Sequence, residues 1–244
     1  MALLSVNLTQ IGAIRELRHL KEPDPAQAAV LAELGGADSI TVQVRRDRRF
    51  IRDRDLYLLR EVVKTRLTVE MPPVDELVER VTDVKPQMVT LLADQADSDA
   101  PVAPIDFSAA AIDFSDLVAR LGGVGIACAF LIEPHDEAVK AAAKAGAAAV
   151  MLDCTGFTSA RTLDDAQQEL DRLDRAAQAA AKAGLDVHAG RGLGYKNTIP
   201  LTELGLIDEF VVGQAVIARA VLVGMREAVN QMQLITRQHV SLPA

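Results

Sequence analysis

The sequence has no tryptophan, only 3% aromatic residues and two cysteines among 244 residues. A chain this poor in aromatic residues and rich in alanine, valine, leucine and isoleucine favours a parallel sheet covered by helices over an all-β sandwich. The two cysteines, Cys128 and Cys154, lack metal-ligand spacing and exclude a disulfide framework, which indicates a reducing compartment. Because no metal-ligand cluster, P-loop or Ser-His-Asp order is visible, we expect neither a metal nor another cofactor.

Long apolar runs are also missing. No stretch approaches the roughly 18 apolar residues of a membrane span, and the N-terminus lacks the basic region of a signal peptide. Positive charge is scarce, since 26 Lys and Arg face 34 Asp and Glu for a net charge of −8. Such a surface repels nucleic acid and anionic lipid. We therefore expect a cytoplasmic protein whose partner is a small molecule, with no nucleic acid and no membrane partner.

What is present is a repeated alternation of strand-like and helix-like segments. Apolar or β-branched runs extend from Leu3 to Leu8, Ser39 to Val44, Leu67 to Met71, Met88 to Leu92, Val124 to Phe130, Ala148 to Leu152, Leu185 to Ala189 and Glu209 to Val212. Helix-period segments extend from Pro25 to Leu34, Asp53 to Val63, Val74 to Val81, Ser108 to Leu121, His135 to Ala145, Leu163 to Ala183, Ile199 to Leu204 and Gln214 to about Arg237.

Eight such units in about 250 residues predict a (β/α)8 TIM barrel, an α/β fold, as a single domain over residues 1–244. A doubly wound open sheet is the alternative. It is disfavoured because the first strand is followed by Asn7, Leu8, Thr9 and Gln10, without the glycine-rich turn of that fold.

A barrel carries its active face at the carboxyl ends of its strands, so polar residues after each apolar run are the candidates. Glu70 closes the third run and is the strongest catalytic candidate, because apolar surroundings raise the pKa of a carboxylate toward values useful for proton transfer. The alternative is a structural pair with an arginine. His188 is the histidine nearest a strand end, and it is alternatively a packed strand residue.

Two features indicate an anionic ligand. Four arginines, at positions 45, 46, 48 and 49, follow the second run, and planar guanidinium groups suit phosphate or carboxylate. A solvated run of ion pairs is the alternative, with Arg45 the better ligand candidate. Glycines follow the seventh and eighth runs at Gly190, Gly192 and Gly213, where backbone amides and a helix N-terminus can hold phosphate.

Together these segments resemble the pyridoxine 5'-phosphate synthase family. The matching residues are Val6-Asn7, Arg15 and Arg18, Pro23 to Ala29, Gly36 to Val42, Arg45, Asp47 to Arg49, Asp53 to Asp55, Val69 to Met71, Thr155-Gly156, Ala189-Gly190, Gly192-Leu193, Gly213 and Arg219 to Val221. The resemblance implies an octameric (β/α)8 barrel, hence a homo-oligomer. It also implies condensation of 3-amino-2-oxopropyl phosphate with 1-deoxyxylulose 5-phosphate to pyridoxine 5'-phosphate.

The resemblance also implies roles for individual residues. Positions that match family ligands of the amino-ketone phosphate are Asn7, Arg18, Gly192 and Gly213, and Gln214 replaces a family histidine beside the last. Among proton-handling positions Glu70 is kept, whereas Gln43 and Arg191 replace histidines. In the second-substrate pocket, Thr9 and Gln10 replace an Asp-His pair and Phe50 a histidine.

Two loops depart further from the family. Residues 93–96 lack the Pro-Glu-Lys-Arg motif of the fourth loop. Leu152 and Cys154 align with a family glutamate and histidine, with Asp153 between them on the opposite face of a regular strand.

We therefore predict catalytic roles for Glu70, Gln43 and Arg191. The predicted substrate and phosphate ligands are Asn7, Thr9, Gln10, Arg18, Arg45, Gly192, Gly213 and Gln214. Three hypotheses follow: an enzyme of this family with altered carbonyl condensation or proton-transfer chemistry on a phosphorylated amino-ketone or ketose; the family reaction with His188 or water replacing the lost imidazoles; and a non-catalytic phosphometabolite-binding paralogue or partner subunit.

Overall fold

The computed structural model describes residues 1–18, 20–94, 102–108 and 112–237. Eight parallel strands form one closed barrel in chain order, and β8 pairs with β1. This confirms the predicted (β/α)8 barrel. The strands are β1 Leu3–Asn7, β2 Ser39–Gln43, β3 Arg66–Met71, β4 Met88–Leu91, β5 Ala127–Ile132, β6 Ala149–Asp153, β7 Asp186–Gly190 and β8 Glu209–Val212.

Helices surround the barrel. Within the described ranges they are α1 Thr9–Glu16, α2 Pro25–Leu34, α3 Asp53–Val62, α4 Asp75–Val84, α5 Phe114–Gly123, α6 Asp136–Lys144, α7 Thr155–Ser159, α8 Leu163–Lys182, α9 Ile199–Glu203, α10 Gln214–Val223 and α11 Met225–Thr236. None of these helices combines the length and apolar character needed to cross a bilayer.

Two short helices, α1 and α7, are absent from the sequence prediction. Each follows a strand directly and begins at a side-chain turn: Asn7 Oδ1 accepts the N–H of Thr9 at 3.0 Å, and Asp153 Oδ1 accepts that of Thr155 at 2.7 Å. They contain 8 and 5 residues, and each begins at a side-chain hydrogen bond that leaves no periodic pattern in the sequence.

Other boundaries differ from the prediction for local reasons. The predicted helix from Ser108 begins at Phe114, where Asp113 caps the N–H groups of Ser115 and Asp116; residues 109–111 lie outside the described ranges. The helix continues to Gly123, so β5 starts at Ala127 rather than Val124. The predicted C-terminal helix is two helices, because Gly224 breaks it at φ +85°.

The barrel interior is apolar on one side and polar on the other. Alternate residues of a strand point inward, and on β4 to β6 these include Met88, Ala129 and Ala149, with Leu131 and Met151 nearer the carboxyl ends. On β1 and β2 the inward residues are polar. There the hydroxyl groups of Ser5 and Thr41 hydrogen bond at 2.6 Å. The polar side continues to both ends of the barrel.

At the amino end of the strands, Ser39, Arg66, His188 and Glu209 form what we call the floor cluster. The Glu209 carboxylate accepts from the Ser39 hydroxyl and the Arg66 guanidinium, and its Oε2 lies 3.4 Å from Nδ1 of His188. Burial lowers the pKa of His188, against the opposing effect of the Glu209 carboxylate. The floor cluster thus fills the amino end of the barrel, and its central carboxylate, Glu209, has several partners.

Both cysteines are buried. Burial raises the pKa of each thiol to about 12. At neutral pH they are protonated, and they pack as small hydrophobic residues.

Candidate active site

A polar cavity of about 420 Å³ opens at the carboxyl ends of the strands, between β1, β3, β7 and β8. We call it the mouth cavity. It is lined by Asn7, Gln10, Glu70, Met151, Arg191, Gly192, Leu193, Gly194, Val211, Gly213, Gln214, Ala215 and Ala218. Its position is where barrels of this class carry their active sites.

Most of the predicted site residues meet in this cavity. It contains Glu70 and Arg191 of the predicted catalytic set, and Asn7, Gln10, Gly192, Gly213 and Gln214 of the predicted ligands. Four predicted residues do not line it: Thr9, Arg18, Gln43 and Arg45. Residues from strands one, three, seven and eight are thus brought together although they are distant in the chain.

Glu70 is the buried carboxylate of the mouth cavity, with 2% of its surface exposed. Its Oε2 accepts a hydrogen bond from Nδ2 of Asn7 at 3.2 Å. Burial raises the pKa of Glu70, while the positive charge of Arg191 and the Asn7 hydrogen bond act in the opposite direction. The carboxylate therefore holds its proton more tightly than an exposed glutamate, as a group that accepts and returns protons near neutral pH requires.

The start of α10 contributes donors to the same cavity as Glu70. Gly213 is the N-cap of this helix, and no side chain caps it. The N–H groups of a first helical turn have no intrahelical acceptors and carry partial positive charge, so this end suits an anion. A Cβ on Gly213 would lie 3.2 Å from the Asn7 carbonyl oxygen and 3.1 Å from Gln10 Oε1. Glycine thus lets the helix start approach β1 closely.

The loop after β7 brings a second row of backbone groups to the cavity. Arg191 and Gly192 are both left-handed, with φ of +77° and +71°, and this conformation is strained for arginine. Asn197 holds the loop: its Oδ1 accepts from the N–H of Gly194 at 2.6 Å, and its Nδ2 donates to the Gly192 carbonyl at 3.0 Å. A Cβ on Gly192 would lie 2.2 Å from Oγ1 of Thr158.

Two polar atoms at the cavity lack a protein partner. Within the described residues, Oε1 of Gln10 and Nε of Arg191 are buried without a hydrogen bond. A buried polar atom without a partner costs about 1–3 kcal/mol. The wall of the cavity thus includes one acceptor and one donor whose hydrogen-bonding capacity is not used within the described residues.

Thr9 and Gln43 lie beside the cavity rather than on its wall. The Thr9 hydroxyl donates to Asn7 Oδ1 at 2.7 Å and accepts from the N–H of Gln43 at 2.8 Å. Gln43 pairs in register with Glu70 across β2 and β3. Both predicted residues thus neighbour the carboxylate, Thr9 through Asn7 and Gln43 through the adjacent strand.

The arginine-rich loop after β2 is largely held by carboxylates. Arg46 pairs with Asp94 at 2.5 Å, Arg48 with Asp53 at 2.9 Å, and Nε of Arg45 lies 3.6 Å from Asp47. These pairs match the alternative of a solvated ion-pair run. Arg18 is exposed in the turn after α1, away from the mouth cavity.

A second cavity, of about 530 Å³, adjoins the first across Arg191. It is lined by Asp153, Glu133, Glu169, Arg172 and the start of α7, among others. Asp153 faces this open side, whereas Leu152 and Cys154 are buried. His188 lies in the floor cluster, two residues before the end of β7, and does not line either cavity.

Several site residues were missed by sequence reasoning. Met151 and Val211 form the apolar base of the mouth cavity, and Asn197 and Thr158 shape its loop without lining it. Only Asn197 has a recognisable signal, since an asparagine soon after closely spaced glycines is typical of a hydrogen-bonded turn. The others are ordinary strand and helix residues that the barrel brings to the cavity.

Fold and site together define a (β/α)8 barrel with a polar cavity at the carboxyl ends of its strands, which is lined by a buried carboxylate and by a helix N-terminus without a side-chain cap. The chain belongs to the PdxJ family of pyridoxal phosphate biosynthesis proteins, whose model matches residues 4–238. Pyridoxine 5'-phosphate synthase of Gloeothece citriformis is 40% identical over 240 residues, covering 98% of this chain and 100% of that protein. The synthase of Geobacter metallireducens is 41% identical over 232 residues, covering 95% and 97%.

Solved structures show the same fold at low sequence identity. Thiamine phosphate pyrophosphorylase from Pyrococcus furiosus superimposes with a TM-score of 0.62 at 17% identity, covering 96% of this chain and 95% of that one. Phosphoribosyl anthranilate isomerase from Thermus thermophilus gives 0.60 at 15% identity, covering 97% and 100%. These likenesses concern the barrel alone.

Proposed function

We propose that this protein is an enzyme that binds a phosphorylated amino-ketone or ketose in the mouth cavity and moves protons at the carbon beside its carbonyl, with Glu70 as the base. The observation that carries the proposal is the uncapped N-terminus of α10 facing the same cavity as the buried Glu70 carboxylate. One group suits a phosphate and the other suits proton transfer. Membership of the PdxJ family and the names of the curated relatives support a phosphorylated substrate.

Phosphate binding is assigned to backbone groups rather than to the arginine loop. The amides at Gly192 and Gly213 and the first turn of α10 supply donors, and Gln214 and Asn7 lie beside them. Arg45 and Arg18, which do not line the cavity, are assigned to a second anionic group or to another copy of the chain. Backbone amides do not lose their protons near neutral pH. Phosphate binding by these amides therefore varies with pH only through the titration of Glu70 and of the phosphate itself.

Proton transfer is assigned to Glu70, with Arg191 and Gln43 beside it. Arg191 brings a fixed positive charge that stabilises an enolate or the ionised base. Gln43 offers hydrogen bonds but no proton exchange near neutral pH. Catalysis with one titrating group differs from the multi-histidine chemistry that the family resemblance implies, so the reaction is an altered one.

One observation favours the alternative, a non-catalytic phosphometabolite-binding paralogue or partner subunit. No histidine lines either cavity over the described part of the chain, and His188 belongs to the floor cluster. A single positioned acid or base contributes about 10²-fold to 10⁴-fold in rate. A barrel with its phosphate cup kept and its imidazoles replaced can therefore serve binding alone.

Exchange of a substrate's carbon-bound proton with solvent distinguishes the enzyme from the non-catalytic binding protein. 1-Deoxyxylulose 5-phosphate and 3-amino-2-oxopropyl phosphate are each incubated with the protein in D₂O, and loss of the proton beside the carbonyl is followed by NMR. We expect exchange above the rate without protein, and about 10²-fold slower exchange with Glu70→Gln. Glu133→Gln, which changes an exposed glutamate of the second cavity, is the matched control and should exchange at the wild-type rate.

Calorimetry with the same two compounds completes the test. Binding without exchange supports the alternative, and the absence of binding contradicts both functions. Gly192→Ala should weaken binding about tenfold or more, because displacement of a backbone donor removes a hydrogen bond to a charged group. Gly184→Ala is the control: Gly184 is also left-handed, at φ +76°, but has open space around it and lies outside the cavity.

A homo-oligomer and a cytoplasmic location stay predictions. Apolar side chains exposed directly after α1 and on α10, such as Leu17 at 80% and Leu222 at 78%, support self-association.

A further inference from the structure

A chain of hydrogen bonds leads from strand β2 to the Glu70 carboxylate. The backbone N–H of Gln43 donates to Oγ1 of Thr9 at 2.8 Å, and the Thr9 hydroxyl donates to Oδ1 of Asn7 at 2.7 Å. Nδ2 of Asn7 then donates to Oε2 of Glu70 at 3.2 Å. Thr9 is buried, with 7% of its surface exposed.

The donor and acceptor roles in this series of hydrogen bonds are fixed by two backbone N–H groups. A backbone N–H can only donate, so the Thr9 oxygen accepts from Gln43 and directs its own proton elsewhere. The backbone N–H of Thr9 also donates to Oδ1 of Asn7, at 3.0 Å. Two donors on one side of the Asn7 carboxamide identify its oxygen, and its NH₂ group must therefore face Glu70.

We propose that Thr9 is a positioning residue, whose hydroxyl holds the Asn7 carboxamide in the orientation that donates to the Glu70 carboxylate. The inference deepens the proposed function, since it rests on Glu70 being the base. It gives Thr9 a role through Asn7 instead of direct contact with a ligand. The hydroxyl is already occupied as donor and acceptor, which agrees with the absence of Thr9 from the cavity wall.

The groups around Glu70 make this effect measurable. Its register neighbours are Gln43 on β2 and Thr90 on β4, and neither titrates. Arg191 supplies the facing charge, from the loop after β7. A donated hydrogen bond favours the ionised form of a carboxylate. Loosening Asn7 should therefore make Glu70 hold its proton to higher pH.

The test is a titration of Glu70 in the ligand-free protein, by NMR of carboxyl-labelled glutamate, with Glu70→Gln to identify the signal. Thr9→Val should move the midpoint upward by about half a pH unit, because one hydrogen bond to the charged form is weakened. Thr9→Ser keeps the hydroxyl and should titrate as wild type. Thr9→Ala also removes the hydroxyl and should shift the midpoint in the same direction as Thr9→Val, so it tests the proposal if the valine variant does not fold.

Two further variants separate positioning from a general effect. In an Asn7→Ala background Thr9→Val should add no shift, because Thr9 acts through Asn7. Thr41→Val removes another buried hydroxyl, the partner of Ser5, and should leave the Glu70 midpoint unchanged. An unchanged midpoint in Thr9→Val or Thr9→Ala, or an equal shift without Asn7, overturns the proposal. Because no ligand is present, this result is independent of whether phosphorylated compounds bind or exchange.

Discussion

Glu70 and Glu209 are buried glutamates on the inner face of one barrel, at opposite ends of the strands. Glu209 begins β8 in the floor cluster and contacts Ser39, Arg66 and His188. Glu70 lies near the end of β3, and over the described residues its carboxylate accepts one hydrogen bond, from Asn7, while Arg191 acts on it through charge. The two residues are of the same type and are both buried, but their hydrogen-bond and ion-pair partners differ.

This difference in partners distinguishes a carboxylate that stabilises the fold from one that can take part in a reaction. A buried carboxylate with a guanidinium and a hydroxyl as partners has its hydrogen-bonding capacity met and links the strands that carry those partners. A buried carboxylate with few partners gains from binding a proton and has lone pairs available for a ligand. We infer that the floor cluster serves stability and that the mouth cavity serves chemistry.

The largest effect is expected on removing the charge of the floor glutamate. Glu209→Gln leaves the Arg66 guanidinium without its ion pair, which should lower the free energy of unfolding by about 3 kcal/mol, since loss of one partner of a buried pair costs about 3–5 kcal/mol. Arg66 is 27% exposed, which places the effect at the lower end of that range. Urea denaturation at pH 7 measures it.

Glu70→Gln is the matched comparison in the same measurement. It should not lower the free energy of unfolding at pH 7, because the ionised carboxylate is poorly compensated in the native protein. A loss as large as that of Glu209→Gln would show that Glu70 is also a structural charge, and the division between floor and mouth would fail.

An intermediate effect is expected in the pH dependence of stability. The pKa of Glu70 is raised above its ordinary value of 4.5, so the native protein binds this proton more tightly than the unfolded chain. Stability from this group is greatest below pH 4.5 and decreases as pH rises through the native pKa. Glu70→Gln should therefore be more stable than wild type above the native pKa, by about 1.4 kcal/mol per unit of pKa difference, and equal to it below pH 4.5.

His188 should behave in the opposite sense. Its pKa is lowered from 6.5, so the unfolded chain binds the proton more tightly, and stability is lost as pH falls below 6.5 toward the native pKa. His188→Gln should lack this component. Melting temperatures from pH 4 to 8 measure both variants against wild type, and parallel curves for either variant would contradict its assignment.

The smallest effect is expected at the exposed rim. Arg46 pairs with Asp94 while 58% of its side chain is exposed, and such pairs contribute about 0.2–1 kcal/mol. Arg46→Ala should thus change the free energy of unfolding by less than about 1 kcal/mol and leave calorimetric binding of phosphorylated compounds unchanged. Substantially weaker binding by Arg46→Ala would indicate that the arginine-rich loop after β2 takes part in anion binding.

The fold and about half of the site geometry could be predicted from the sequence. The βα repeat predicted the barrel, and the strand-end rule placed Glu70, Gly192 and Gly213 at the mouth, because both depend on local periodicity and chain order. The short helices α1 and α7 were missed because each begins at a side-chain hydrogen bond, from Asn7 or Asp153, that has no periodic signal. Arg45 was placed at the ligand by its chemistry and Arg18 by the family resemblance, and the mouth cavity is lined without them.

By itself, then, the order of apolar and polar residues predicted a parallel barrel with its candidate site at the carboxyl ends of the strands, and individual residues such as Glu70, Gly192 and Gly213 carried the resemblance to the family. Only the tertiary structure decided which buried charge has partners. Glu70 and Glu209 each lie next to apolar strand residues, so the local sequence does not distinguish them. Closure of the barrel places Arg66, Ser39 and His188 around Glu209 and an open cavity beside Glu70. The reason is physical: ionisation depends on distances between residues far apart in the chain, and those distances exist only once the strands have closed.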